Sequence, residues 1–167
     1  RGGEASALGN LGLVRHACGD LDGAIDAWRA GLEIAAQIGD RELLGIFLNN
    51  IGEACLQRGE TKLAKNALVE ARQITQSTGD QRTLADVHRN LATLAVNLGQ
   101  WERALEEVDA AIAICEQLGA RVALGQALRT RGEVLGYQLY ADGTPTGRYA
   151  TDAVTCFEES IALLETV

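Results

Sequence analysis

Shifted by 40 residues against itself, this 167-residue chain falls back into register. Gly19, Gly59 and Gly99 align, as do Asn10, Asn50 and Asn90, and Ala24, Ala64 and Ala104. Gly39, Gly79 and Gly119 also align, with Ile34, Ile74 and Ile114, and with Leu44, Leu84 and Leu124. A period of this length marks one supersecondary unit that cannot bury its own apolar face and therefore stacks on its neighbours. The repeat divides the chain into four units within one domain, approximately 4–39, 40–79, 80–119 and 120–167.

Each unit reads as two helices. In the second, helix A is expected from about Arg41 to Arg58, because Leu44, Leu48, Ile51 and Cys55 recur at three- and four-residue steps and form one helical stripe. Gly59 ends it. Helix B is expected from about Thr61 to Thr78, with Leu63, Ala67, Leu68, Ala71 and Ile74 inward, and Gly79 ends that one. Asp20, Asp40 and Asp80 follow junction glycines and suit the first turn of the next helix. Turns this short force successive helices antiparallel. Gly12 and Gly52, mid-helix, and Ala24, Ala64 and Ala104 on helix B leave room for close backbone approach, with Leu11, Trp28, Ile51 and Leu68 to fill the remaining volume. The expected fold is all-α, an α-solenoid of about four antiparallel helical hairpins.

The fourth unit breaks the pattern. Gly125, Leu128, Gly132 and Leu135 fit helix A, but the stretch from Tyr140 to Gly147 holds Pro145 and two glycines and reads as a loop. Helix B is expected to resume near Tyr149, and Ala153 meets the recurring small position only if about nine residues are inserted near 140–148. The last helix still shows Phe157, Ile161 and Leu164, so a further helix or a partner is expected to follow. With no Met in the chain, its numbering is expected to begin inside a longer protein.

The same residues resemble the tetratricopeptide repeat. Leu11-Gly12, Gly19, Ala24 and Trp28 carry the resemblance in the first unit, and Ile51-Gly52, Gly59, Ala64, Leu68 and Ala71 in the second. The third matches with Leu91, Gly99, Ala104 and Ala111 but has Ala92 at the usual mid-helix glycine. The fourth matches with Gly132, Ala153 and Phe157 but has Arg131 at a usually apolar place. The common form of this repeat is shorter. A 40-residue period with a recurring Asn is similar to the variant in kinesin light chains, spindle adaptors and helical domains of bacterial regulators. The resemblance implies a right-handed stack whose concave wall, mostly helix A, receives peptides or helices.

On that wall helix A offers a face that its stripe does not use: Ser6, Gly9, Asn10 and Leu13; Ile46, Asn49, Asn50, Glu53 and Gln57; Asp86, Arg89, Asn90, Thr93 and Asn97; Gln126, Arg129, Thr130 and Glu133. An amide both donates and accepts, so Asn10, Asn50 and Asn90 suit the main chain of a bound segment, and Arg89 and Arg129 suit a carboxylate. The candidate protein- or peptide-binding residues are Asn10, Asn49, Asn50, Glu53, Arg89, Asn90, Asn97 and Arg129. The competing use of the asparagines is structural, each bonding to a neighbouring helix.

Other functions fit poorly. A net charge of -8 with two lysines and scattered arginines is wrong for nucleic acid. No run nears the roughly 18 to 20 apolar residues that span a bilayer. Cys18, Cys55, Cys115 and Cys156 show neither CxxC nor zinc spacing, and read as small buried thiols of a reducing compartment, the cytoplasm. His88 falls on the packing stripe, His16 and Cys18 share no helix face, and Glu106-Glu107 and Glu158-Glu159 read as solvated surface. No catalytic or phosphate-binding motif is present, and neither metal nor cofactor is expected. The expected function is a protein- or peptide-binding scaffold or sensor module of a larger regulatory protein. The alternatives are self-association through the repeat ends, and a small-ligand sensor using Trp28 or Trp101.

Overall fold

The computed structural model describes residues 1–141 and 148–165. Among them are eight α-helices and no strand: α1 Gly2–Ala17, α2 Leu21–Ile38, α3 Arg41–Gln57, α4 Thr61–Thr78, α5 Gln81–Asn97, α6 Trp101–Leu118, α7 Arg121–Ala141 and α8 Arg148–Leu164. They pair as antiparallel hairpins, a TPR-like α-solenoid architecture. Helix α7 runs one residue beyond Tyr140, where the loop was expected to start, and residues 142–147 of that loop lie outside the described residues.

The junctions follow one rule. Gly19, Gly39, Gly59, Gly79, Gly99 and Gly119, twenty residues apart, all have φ between 61° and 80°, a left-handed conformation open to a residue without Cβ. The residue after each glycine donates its N–H five residues back, as Asp40 does to the Ala35 carbonyl at 3.0 Å and Gln100 to Ala95 at 2.9 Å. That bond closes the helix just ended. At three junctions the same residue also opens the next helix: the Asp20, Asp40 and Asp80 carboxylates accept from the N–H of Gly23, Leu43 and Thr83 at 2.9, 3.0 and 3.1 Å. Glu60 and Gln100 make no such side-chain bond.

The chain divides into two compact units, Arg1–Val87 and His88–Val167. In the first, α1 packs on α2, α3 on α4, and α3 also lies against α2 and α1. A Cβ on Gly12 would come within 2.2 Å of Trp28 Nε1, and one on Gly52 within 2.6 Å of the Leu68 side chain. Mid-helix glycine is therefore the space into which the large side chain of the partner helix fits. The Trp28 indole N–H donates to the Gly9 carbonyl at 3.2 Å, so the buried ring leaves no unsatisfied donor. Phe47, 1% exposed, joins the two hairpins: its ring wedges between Gly9 and Gly31, each of which would place a Cβ 2.9 Å from it. Burying a ring this fully contributes about 2 kcal/mol. The single stripe read for α3 is thus too narrow. Phe47, Ala54 and Leu56 are buried as well, because α3 has neighbours on three helices.

In the second unit α7 packs on α6 and α8. Gly132 meets the Phe157 ring, which a Cβ would approach to 2.9 Å. Gly12 and Trp28 are sixteen residues apart, as are Gly52 and Leu68; Gly132 and Phe157 are twenty-five apart, the extra nine being the insertion. Arg131, at its usually apolar position, is half-buried and donates to Asp109 Oδ1 at 2.8 Å and to Cys156 Sγ at 3.2 Å, so its charge stays partnered. Glu107 is not solvated surface: it is 8% exposed, with a carboxylate oxygen 2.7 Å from His88 Nδ1. The histidine on the packing stripe draws the acid inward, since a buried carboxylate needs a hydrogen-bonded partner.

Candidate functional site

The first helix of each hairpin carries the polar residues under consideration. In the first unit these lie on α1 and α3. Asn10 is exposed on α1, beside exposed Ser6 and Leu13. On α3, Asn50 and Glu53 are half-buried, Gln57 is exposed, and Asn49 is buried. His16 Nε2 lies 3.1 Å from Gln57 Oε1 and ties the two helices together at one end of this face.

In the second unit the face is built by α5 and α7. Arg89 is half-buried, with its Nε shielded from solvent, and Asn90 is 2% exposed. Asn97 is exposed, as is Arg129, whose guanidinium lies 3.7 Å from Glu133 one turn on. The eight residues therefore differ in access. Asn10, Asn97 and Arg129 present open surface, Asn50, Glu53 and Arg89 partial surface, and Asn49 and Asn90 almost none. Asn49, Glu53, Arg89 and Asn90 each have an interaction partner within the protein.

A cleft of about 110 Å³ opens on the α5–α7 face. Val96 and Val134 supply apolar lining, and Thr93, Asn97, Thr130, Glu133 and Tyr137 surround it. Asn97 is the expected site residue that lines it. Tyr137, 56% exposed, was not among the expected residues, although the signal was available: the 40-residue shift carries Asn97 onto Tyr137 and Thr93 onto Glu133. Two threonines, an amide, a carboxylate and a phenol line it beside Val96, while Val134 beneath is fully buried; the open polar groups of Asn97, Glu133 and Tyr137 can bond the main chain of a ligand.

A wider, open cleft of about 460 Å³ lies among α6, α7 and α8, lined by Asp109, Ile112, Leu128, Arg131, Asp152, Thr155, Cys156 and Glu159. Its arginine is held by Asp109 and Cys156, as described above. Among the described residues no group of three or more His, Cys, Asp or Glu is placed to hold a metal ion, and no helix is long and apolar enough to cross a membrane.

The family model for the tetratricopeptide repeat matches residues 3–77, which cover α1 to within a residue of the end of α4. Among solved structures the chain is similar to that of BtubC (BKLC) from P. vanneervenii, at 20% identity and a TM-score of 0.73. That match covers 97% of this chain and 63% of the other. No curated protein matches the sequence. The family match and the structural likeness together establish a TPR-like, all-α helical-repeat fold.

Proposed function

We propose that this chain is a protein- or peptide-binding module, the scaffold or sensor part of a larger regulatory protein, and that it grips its partner on the first helices of its hairpins. The observation that carries this reading is the α5–α7 cleft. Its polar residues lie on the first helices above a packed core in which Val134 meets Ala95 and Ala104 and Val96 is partly buried. A cavity of this size takes a side chain; small-molecule sites usually run from about 300 Å³ upward. For this cleft the small-ligand reading is therefore the weaker one.

In this reading Asn97, Tyr137 and Arg129 touch the partner in the second unit, and Asn10, Asn50 and Glu53 in the first. Asn49, Arg89 and Asn90 shape the wall from beneath. The four units act as one binding domain, in the manner of the 40-residue-period repeats that the sequence resembles. The partner is a polypeptide and neither nucleic acid nor lipid, since the chain carries a net charge of -8. The four cysteines are unbridged, three of them are buried, and burial beside Glu60 pushes the Cys55 thiol up, keeping it protonated. Such thiols suit the cytoplasm.

A displayed library of random peptides, selected on this chain, tests the proposal. Asn97→Ala and Tyr137→Ala should each weaken selected peptides about tenfold, or about 1.4 kcal/mol, while the melting temperature stays close to that of the parent. Glu116→Ala, an exposed change on α6, should leave affinity unchanged. Peptides that respond to Glu116→Ala and ignore both cleft substitutions would refute the reading.

A further inference from the structure

The α5–α7 cleft offers a ligand acceptors more than donors. Thr93 donates its hydroxyl to the Arg89 carbonyl at 3.3 Å, and Thr130 donates to the Gln126 carbonyl at 3.1 Å. Each bond runs one turn back along its own helix, a common use of the hydroxyl hydrogen by a threonine inside a helix. What each oxygen keeps is the capacity to accept, and both residues line the cleft. Thr130 is buried and Thr93 half-buried, so water reaches these oxygens poorly.

Glu133 adds a carboxylate, which only accepts. Among the described residues that line the cleft it carries the charge, and none is cationic. Arg129, one turn back on α7, lies 3.7 Å from it, but the pair joins side chains that are 57% and 49% exposed and contributes little. Glu133 can therefore exchange Arg129 for a better-placed cation. Tyr137, one turn on, brings an exposed ring, and the face of an aromatic ring attracts a cation. Val96 supplies apolar surface beside them. The Asn97 amide and the Tyr137 phenol donate as well as accept, and so suit the main chain of the bound segment.

These properties select among the side chains that a space of about 110 Å³ can take. An acidic group would set lone pairs against lone pairs. A purely apolar one would cover the threonine oxygens and Glu133 without offering them a hydrogen, which costs free energy. An arginine carries charge, but its planar fork matches a single carboxylate, whereas the acceptors here stand on two helices. A lysine ammonium is compact, with three rotatable donors, and its methylene stem can lie along apolar surface.

We propose that this cleft is a lysine pocket. A lysine of the partner polypeptide enters between α5 and α7, its ammonium donating to Glu133 and to the threonine oxygens, its stem against Val96 and Tyr137. The proposal rests on the reading of this cleft as the place where a polypeptide is gripped, and it names the residue that is taken there. The net charge of -8 favours the approach of a basic segment.

Peptides selected from a random displayed library on the parent chain test this. Each is resynthesised in three forms: as selected, with its lysine replaced by norleucine, which keeps the stem and removes the charge, and with arginine there. The selected peptides should share a lysine at one position. Norleucine should weaken binding about tenfold, and arginine by less. Glu133→Gln should weaken the lysine form about tenfold and leave the norleucine form unchanged, and added salt should weaken the lysine form more than the norleucine form. Glu133 is exposed, so the variant should melt with the parent. The norleucine arm alters only the ligand and decides the matter even if the variant misfolds. A consensus without lysine overturns the lysine pocket. So do peptides that need Asn97 and Tyr137 but bind equally in the lysine and norleucine forms, or as tightly with arginine; the cleft then stands as the binding site. Peptides indifferent to Asn97→Ala, Tyr137→Ala and Glu133→Gln alike, or a library that yields no binder, overturn the cleft reading and the lysine pocket with it.

Discussion

At the scale of single residues, the hairpins are set by a matched pair, a small residue in one helix and a large one opposite. Gly12 pairs with Trp28, Gly52 with Leu68 and Gly132 with Phe157. At the corresponding third-unit positions, Ala92 and Val108 are both fully buried: the small member has grown by a methyl and the large one is a modest valine. Gly52→Ala should therefore lower stability. Alanine gains about 0.5 to 1 kcal/mol in helix propensity, but a Cβ 2.6 Å from Leu68 overpacks a closed site at a cost of about 1 to 3 kcal/mol. A net loss of about 1 kcal/mol is expected in urea unfolding, with most of it recovered in the double variant Gly52→Ala, Leu68→Val, which copies the third hairpin. Gly136→Ala, where a Cβ would meet nothing within 4 Å, should instead stabilise by about 0.5 to 1 kcal/mol. The glycines and their large partners were legible in the sequence because they recur at the period. Phe47 was not, because its partners Gly9 and Gly31 lie in two other helices and no spacing connects the three.

At the scale of elements, the junction residue decides how firmly one helix ends and the next begins. Asp40→Ala should cost about 1 kcal/mol by removing the bond from the Leu43 N–H. Gln100→Asp should gain about 0.5 to 1 kcal/mol, since α6 begins without a side-chain cap. Paired urea curves of the two variants check both signs. Helix limits were readable from sequence for the same reason: a glycine recurring at each junction is a local signal, reinforced at Gly19, Gly39 and Gly79 by the capping aspartate that follows. The inward and outward faces of α3 were read less well. A helix with one neighbour shows one stripe, but α3 has three and buries more of its circumference, Asn49 included. Glu107 was misread from its own helix because its partner, His88, lies nineteen residues away on another.

At the scale of the whole molecule, each of the two units packs its hairpins on their apolar sides and carries polar residues on its first helices, α1 and α3 in one and α5 and α7 in the other. Period and stripe together made that division readable from the sequence. The depth of each polar residue was not readable, since burial depends on packing between helices that a single helix's stripe does not reveal: Asn97 is exposed and Asn90 buried on the same helix. The direct test maps backbone amide shifts by NMR while a library-selected peptide is titrated into the isotope-labelled chain. The account predicts that shifts concentrate on α5 and α7, around Asn97, Thr130 and Tyr137, with α1 and α3 responding if the bound segment is long. Shifts concentrated on α2, α4, α6 and α8, with the cleft residues silent, would contradict it.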